Sequence, residues 1–257
     1  AVEEVGVSWL LGALVFAGSA LAKAVESGAS YALGVPVTLD SAAPSPLSGA
    51  LSLSGLVVSN PPGCRAADFL RMRSARTQVA LSTLLSERVE IPSLVFEGIE
   101  IDLERNAQGT NYGAILEALE RFESDAGKDA QPSRKKLVVR ELVLRDVRVR
   151  ANLTPELGDA SAVELKLPEL SLHDLGEVTV AELAAQTLEA LLAATVDAGG
   201  SALSKDLLKD LDRSLDRLGK DVLDGVRARL GTSLERAGDD VRKAADGLGR
   251  QLEKVFK

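Results

Sequence analysis

Apolar and polar residues alternate in four stretches of the chain, and the stretches share one irregularity. The first, residues 51–61, reads LSLSGLVVSNP: it alternates, skips one position at Ser54-Gly55, and alternates again up to a proline. Alternation with a period of two is typical of a strand with one buried face. Similar stretches begin at Val89, Leu137 and Leu165. The four copies predict a β-sheet built from repeated strand units.

The skipped position would turn all later side chains to the opposite face unless the strand absorbs the extra residue. A β-bulge absorbs one residue in this way. We predict bulges at Ser54-Gly55, Pro92-Ser93, Arg140-Glu141 and Pro168-Glu169. We also predict tight two-residue hairpin turns at Glu97-Gly98 and Arg145-Asp146. The sequence therefore predicts an α+β fold around a curved antiparallel sheet.

The second and third copies supply the aliphatic residues expected on the inner face of this sheet. These side chains would form either an apolar groove or a closed core. The candidate groove residues are Leu94, Phe96, Ile99, Ile101, Leu142, Leu144, Val147 and Val149.

Two covering helices are predicted beside the sheet. The first spans residues 111–123, with Asn111 as N-cap, and is followed by a polar linker over 124–136. The sequence TVAE at 179–182 is a capping box that opens a second helix over 179–200. The sheet domain between the N-terminal segment and this second helix covers residues 34–178.

An uncharged segment lies near the start of the sequence. Val5 to Ala22 is free of charged residues over 18 positions, and a membrane-spanning helix needs about 20 apolar residues. We therefore predict a single-pass membrane helix with its stalk over residues 1–33; a buried soluble helix and a signal-peptide remnant are the alternatives. The predicted anchor residues are Trp9, Leu10, Leu11, Leu14, Val15 and Phe16.

The C-terminal segment, residues 201–257, follows a longer period. Its apolar residues recur about every 3.67 positions, which is the spacing of an eleven-residue repeat along a helix. Such a helix is not stable alone in water, so we predict that it packs on protein or on a membrane surface. The predicted contact residues are Leu211, Leu215, Leu218, Val222, Val226, Leu230 and Leu234.

The amino-acid composition argues against several classes of protein function. The formal net charge of -8 argues against a nucleic-acid-binding protein, which normally carries a basic face. Cys64 is the only cysteine, so neither an internal disulfide nor a multi-cysteine metal site is possible. His173 is the only histidine, and no motif supplies the partners of a Ser-His-Asp relay around it. We expect no enzymatic activity, no cofactor and no metal.

A series of short motifs follows the predicted membrane helix. The motifs are GVPV at 34–37, SPLSG at 45–49, Asn60-Pro61, Leu84-Leu85, VEIPSLVFEGIEI at 89–101 and Asn111. In this order, over roughly residues 25–198, the chain resembles the AsmA-like family of bacterial envelope proteins. The resemblance implies an inner-membrane helix that carries a curved β-sheet groove on the periplasmic side. It also implies a role in envelope organisation or lipid handling.

Two functions are compatible with these patterns. In the first, the inner face of the sheet shields an acyl chain, and the partner is membrane lipid. In the second, the chain's own helices close that face, and the protein is a structural subunit that binds other integral-membrane subunits. The oligomeric state stays open.

Overall fold

The computed structural model describes residues 2–45, 47–83, 86–126, 136–152 and 162–199, with side chains from residue 18 onward in the first helix. The helices are α1 (Val2–Leu33), α2 (Asn111–Ala126) and α3 (Val180–Gly199). The strands are β1 (Val37–Ser45), β2 (Ala50–Ser59), β3 (Asp68–Gln78), β4 (Arg88–Ile91), β5 (Ser93–Leu103), β6 (Arg105–Asn106), β7 (Gly109–Thr110), β8 (Lys136–Asn152), β9 (Ala162–Leu167) and β10 (Leu170–Val178). The fold is α+β, as predicted.

The main sheet of the described part is mixed. Its strand order is β1-β2-β3-β5-β8-β10, while β4 and β9 also pair with β8. Both β4 and β5 run parallel to β8, so the predicted antiparallel sheet is wrong at its centre. Parallel neighbours require a crossover connection, usually helical, and the chain between β5 and β8 contains α2.

One position is skipped in the pairing of each of the strands β1, β2, β3, β5 and β8. These positions form a transverse row that we call the crease: Asp40, Gly55, Arg73, Gly98 and Asp146. Gly55, Gly98 and Asp146 have left-handed backbones, with φ of 63°, 69° and 49°. Because neighbouring strands take up their extra residue in the same row, the register does not shift, and aliphatic residues face inward on both sides.

The crease shows where the observed strands differ from the predicted turns and bulges. The strands β5 and β8 continue through Glu97-Gly98 and Arg145-Asp146, so the predicted hairpins are wrong. Pro92 instead separates β4 from β5, and Pro168-Glu169 separates β9 from β10. The register between β10 and β8 does shift between His173 and Gly176.

Helix α1 lies along the free edge of β1. The Val37 N–H donates to Ser30 Oγ at 2.8 Å, and the Leu39 N–H donates to Glu26 Oε1 at 2.8 Å. Gly18 lies against the Ala42 carbonyl, where a Cβ would come within 2.5 Å of the oxygen. Side chains of the helix thus satisfy backbone donors that an uncovered edge strand would leave open to another chain.

Several predictions lie at the limits of the described residues. No helix is long and apolar enough to cross a membrane among the residues whose side chains are described. The predicted anchor side chains, from Trp9 to Phe16, lie outside that set, as does the predicted contact segment from Leu211 to Leu234. The linker prediction is also largely outside it, and α2 extends to Ala126 rather than 123.

Candidate functional site

An apolar cavity lies between the inner face of the sheet and the three helices. Its volume is about 240 Å³. The floor is formed by β2, β3 and β5, and the walls are formed by all three helices. The lining residues are Ala29, Leu33, Leu56, Val58, Phe69, Leu70, Met72, Phe96, Ile99, Ile115, Leu119, Val180, Leu183, Ala184, Thr187, Leu188 and Leu191.

The cavity has no polar group free to bind a ligand among the residues that line it. Thr187 is the one polar lining residue, and its hydroxyl donates to the Leu183 carbonyl at 2.7 Å within α3. Val180 lines the cavity and is 68% exposed, which places the first turn of α3 at the cavity's rim. The cavity can therefore hold hydrocarbon but offers no site for a charged headgroup.

A buried polar network fixes α2 over the cavity. Asn111 is 1% exposed; its Nδ2 donates to Asn60 Oδ1 at 2.8 Å and to the Asp102 carbonyl at 2.7 Å. Its Oδ1 accepts from the N–H groups of Glu104 and Tyr112. Thr110, rather than Asn111, caps the helix, because its Oγ1 accepts the Gly113 N–H at 3.2 Å.

Glu104 extends the network to the loop before β3. Its two carboxylate oxygens accept the N–H groups of Arg65 and Ala66, both at 2.8 Å. Asn60 Nδ2 donates to the Ala66 and Asp68 carbonyls. The loop, the end of β5 and the start of α2 are thereby held as one unit, which positions Ile115 and Leu119 in the cavity wall.

The predicted capping box positions α3. The Thr179 N–H donates to Glu182 Oε2 at 2.6 Å, and the Glu182 N–H donates to Thr179 Oγ1 at 3.0 Å. The Thr179 hydroxyl also donates to Glu123 Oε1 of α2 at 2.7 Å. This reciprocal cap is confirmed, and it joins the start of α3 to the end of α2.

Helix α3 carries one buried acid outside the cavity wall. Glu189 is 3% exposed, and its Oε2 has no hydrogen-bond partner. The pKa of Glu189 is raised to about 7, mainly by burial and secondarily by the nearby Glu120 carboxylate.

Burial also raises the pKa of the Cys64 thiol, in the loop before β3. Within the described ranges, no group of three or more His, Cys, Asp or Glu residues is arranged to hold a metal ion.

The outer face of the sheet carries cross-strand ion pairs. Arg73 of β3 reaches over Gly98 to Asp146 of β8, with Nη2 and Oδ2 2.9 Å apart. Arg148 pairs with Glu100 at 3.3 Å. These side chains are roughly half exposed, so the pairs favour the observed register more than they add stability.

The structure divides the eight predicted groove residues into two groups. Only Phe96 and Ile99 line the cavity. The other six lie in the closed core, each 7% exposed or less: Leu94, Ile101, Leu142, Leu144, Val147 and Val149. These six residues therefore follow the closed-core alternative of the prediction, because α2 and α3 belong to the core that closes over the centre of the sheet.

The sequence reasoning missed the floor of the cavity. Leu56, Val58, Phe69 and Met72 come from β2 and β3. The first repeat copy already contained Leu56 and Val58 with the same alternation, so the signal was present. Which copies are covered depends on where the helices cross the sheet, and that is a non-local property.

Comparison with known proteins adds no assignment. The chain matches no protein-family model and no curated protein sequence. The resemblance to the AsmA-like group therefore stays a prediction.

Proposed function

We propose that this chain is a non-catalytic, membrane-anchored protein that holds one hydrocarbon chain of a membrane lipid in its apolar cavity. The cavity is the observation that carries the proposal, since its wall is apolar except for the Thr187 hydroxyl, which is bonded within α3. Dry apolar cavities of about 150 Å³ admit benzene-sized molecules. Sites for drug-sized ligands start at about 300 Å³. A volume of about 240 Å³ suits part of one acyl chain.

The proposed location follows the resemblance. An AsmA-like protein would sit in the bacterial inner membrane with a single pass and with most of its chain in the periplasm. Envelope organisation or lipid handling is the corresponding role. In this role the protein shields an acyl chain, while the lipid headgroup stays outside the cavity.

A structural role is the second candidate. It is favoured by the closed packing of six predicted groove residues, which leaves less open apolar surface than a lipid-transfer groove needs. In this role, α1 anchors the chain and residues 201–257 bind other integral-membrane subunits.

Native mass spectrometry of the full chain, extracted from its own membranes in mild detergent, separates the two candidates. A single chain carrying one lipid molecule is expected for lipid handling. A stoichiometric set of other subunits, with no lipid bound to the chain itself, would contradict lipid handling and favour the structural role.

A further inference from the structure

The hairpin between β1 and β2 lies beside the uncharged part of α1. Three contacts determine the relative direction of α1 and β1. Gly18 contacts Ala42, Glu26 contacts Leu39, and Ser30 contacts Val37. From Gly18 to Glu26 the helix rises about 12 Å, while from Ala42 to Leu39 the strand advances about 10 Å. The two elements are therefore antiparallel and nearly matched in height.

The same spacing can be continued toward the hairpin. Ser45, the last residue of β1, lies about 10 Å beyond Ala42. On the helix, about 10 Å corresponds to roughly seven residues before Gly18. The hairpin tip is thus level with the middle of the Val5–Ala22 segment.

Charge begins at the same height on both elements. Lys23 is the first charged residue after the uncharged segment of α1, and it lies about 7 Å beyond Gly18. Asp40 is the corresponding charged residue of β1, about 7 Å beyond Ala42. From Ser41 to Cys64, which includes the hairpin and all of β2, the chain has no charged residue. On the neighbouring strand β3, the charged residue nearest the hairpin tip is Arg76, which lies opposite Ser52 and pairs with Glu97.

The hairpin tip presents a leucine on a closed turn. Leu47 is 96% exposed. The N–H groups of Ser48 and Gly49 both donate to the Ser45 carbonyl, at 3.2 and 2.9 Å. Gln78 Nε2 donates to the Ser48 carbonyl at 3.3 Å. With these backbone groups already bonded, the tip can leave water at a lower cost than an open loop.

We infer that the β1–β2 hairpin inserts Leu47 into the lipid bilayer beside α1. We assign the phospholipid bilayer as the partner of the hairpin surface, because the charged residues of the helix and of the hairpin both end at one common plane. This inference rests on the membrane anchoring included in the proposed function. It adds a second contact that would hold the sheet at a fixed orientation to the membrane.

Tryptophan quenching by brominated phosphatidylcholine tests the inference in the full chain reconstituted into vesicles. Trp9 is the only tryptophan and reports on the anchor itself. In a Trp9→Phe background, Leu47→Trp reports on the hairpin. Tyr31→Trp is the control, because Tyr31 is 77% exposed on the same helix and lies about 20 Å beyond Gly18.

We expect Trp9 to be quenched, and Leu47→Trp to be quenched at least twofold more than Tyr31→Trp. Quenching of Trp9 with equal quenching at Leu47→Trp and Tyr31→Trp would overturn the hairpin inference and leave the anchor intact. An unquenched Trp9 would refute the anchor and the hairpin contact together. Leu47 is exposed, and Tyr31→Trp keeps an aromatic ring beside Phe122, so both variants should keep the thermal unfolding of the parent chain.

Discussion

The side chains of Asn60 and Asn111 are hydrogen-bonded at 2.8 Å although they are 51 residues apart in sequence. Asn60 follows the last strand residue of β2, and Asn111 is the first residue of α2. Both amides also bond to backbone groups around them. This pair therefore joins the loop that leads into β3 to the helix that forms one wall of the cavity.

Removing either amide should destabilise the fold strongly. Asn111→Ala leaves buried backbone groups of β5 and α2 without partners, and each such group costs about 1–3 kcal/mol. We expect a loss of about 3 kcal/mol for Asn111→Ala and about 2 kcal/mol for Asn60→Ala, measured by urea unfolding. In the double variant the losses should fall short of additivity by about 1 kcal/mol. Losses that add within about 0.3 kcal/mol would contradict an energetic coupling between the two amides.

The crease makes a prediction at Gly98. This residue has φ of 69°, and a Cβ would come within 2.7 Å of the Arg73 guanidinium. Gly98→Ala should therefore lower the free energy of unfolding by roughly 1–3 kcal/mol. Gly28→Ala is the control, because Gly28 is helical and exposed and a Cβ there meets nothing within 4 Å. That control should stabilise α1 by up to about 1 kcal/mol; equal effects at both positions would argue against strain in the crease.

Two substitutions at Asp146, which also lies in the crease, distinguish the effect of backbone conformation on stability from the effect of charge. Its φ is 49°, and its partner Arg73 is 60% exposed at the side chain. Asp146→Asn keeps a residue that tolerates this backbone and loses only exposed ion pairs, to Arg73 and Arg148, so the cost should stay below about 1 kcal/mol. Asp146→Val places a β-branched residue in the left-handed region and should cost about 2 kcal/mol. Equal unfolding midpoints in urea for the two variants would show that the backbone conformation carries no cost.

Glu189 makes the stability of the fold depend on pH. Its pKa of about 7 lies above the ordinary value of 4.5, so the folded chain keeps a proton that the unfolded chain releases between these values. The free energy of unfolding should therefore fall as the pH rises from 4.5 to 7, and level off above 7. Relative to the parent chain, Glu189→Gln should gain up to about 3 kcal/mol on going from pH 4.5 to pH 8.

Urea unfolding over a pH series measures this difference. Glu120→Gln serves as a second variant, because removing the neighbouring carboxylate should shift the window to lower pH without abolishing it. A constant difference between Glu189→Gln and the parent chain at every pH would rule out a protonated Glu189 in the folded state.

The sequence predicts the elements better than it predicts their pairing. Period-two alternation located β2, β4, β5, β8, β9 and β10, and the capping box at Thr179 located α3, because both signals are local. The edge strand β1 was not predicted. The copies that begin at Val89 and Leu137 are 48 residues apart, and Leu94 pairs with Leu142 at that same offset. Alternation does not state strand direction, so the parallel pairing could only have come from recognising α2 as a crossover helix.

Turns and the cavity were harder to predict for a related reason. Glu97-Gly98 has the composition of a hairpin turn, and only the matching skip at Arg73 in the neighbouring strand shows that the chain runs straight on. Likewise, Leu144 and Phe96 share one inner row, but Leu144 is fully buried while Phe96 lines the cavity. The difference depends on helix placement across the sheet.

Fatty-acid binding to the full chain tests the central claim most directly, with the cavity filled by substitution. Ala184 lines the cavity, whereas Ala185 is the adjacent half-buried residue outside the lining. In a fluorescent fatty-acid displacement titration, the parent chain should bind one fatty acid, and Ala184→Phe should weaken binding at least tenfold. Ala185→Phe should stay within about twofold of the parent chain, with both variants folded by circular dichroism. Unchanged binding in Ala184→Phe, or equal losses in both variants, would contradict a lipid chain in this cavity.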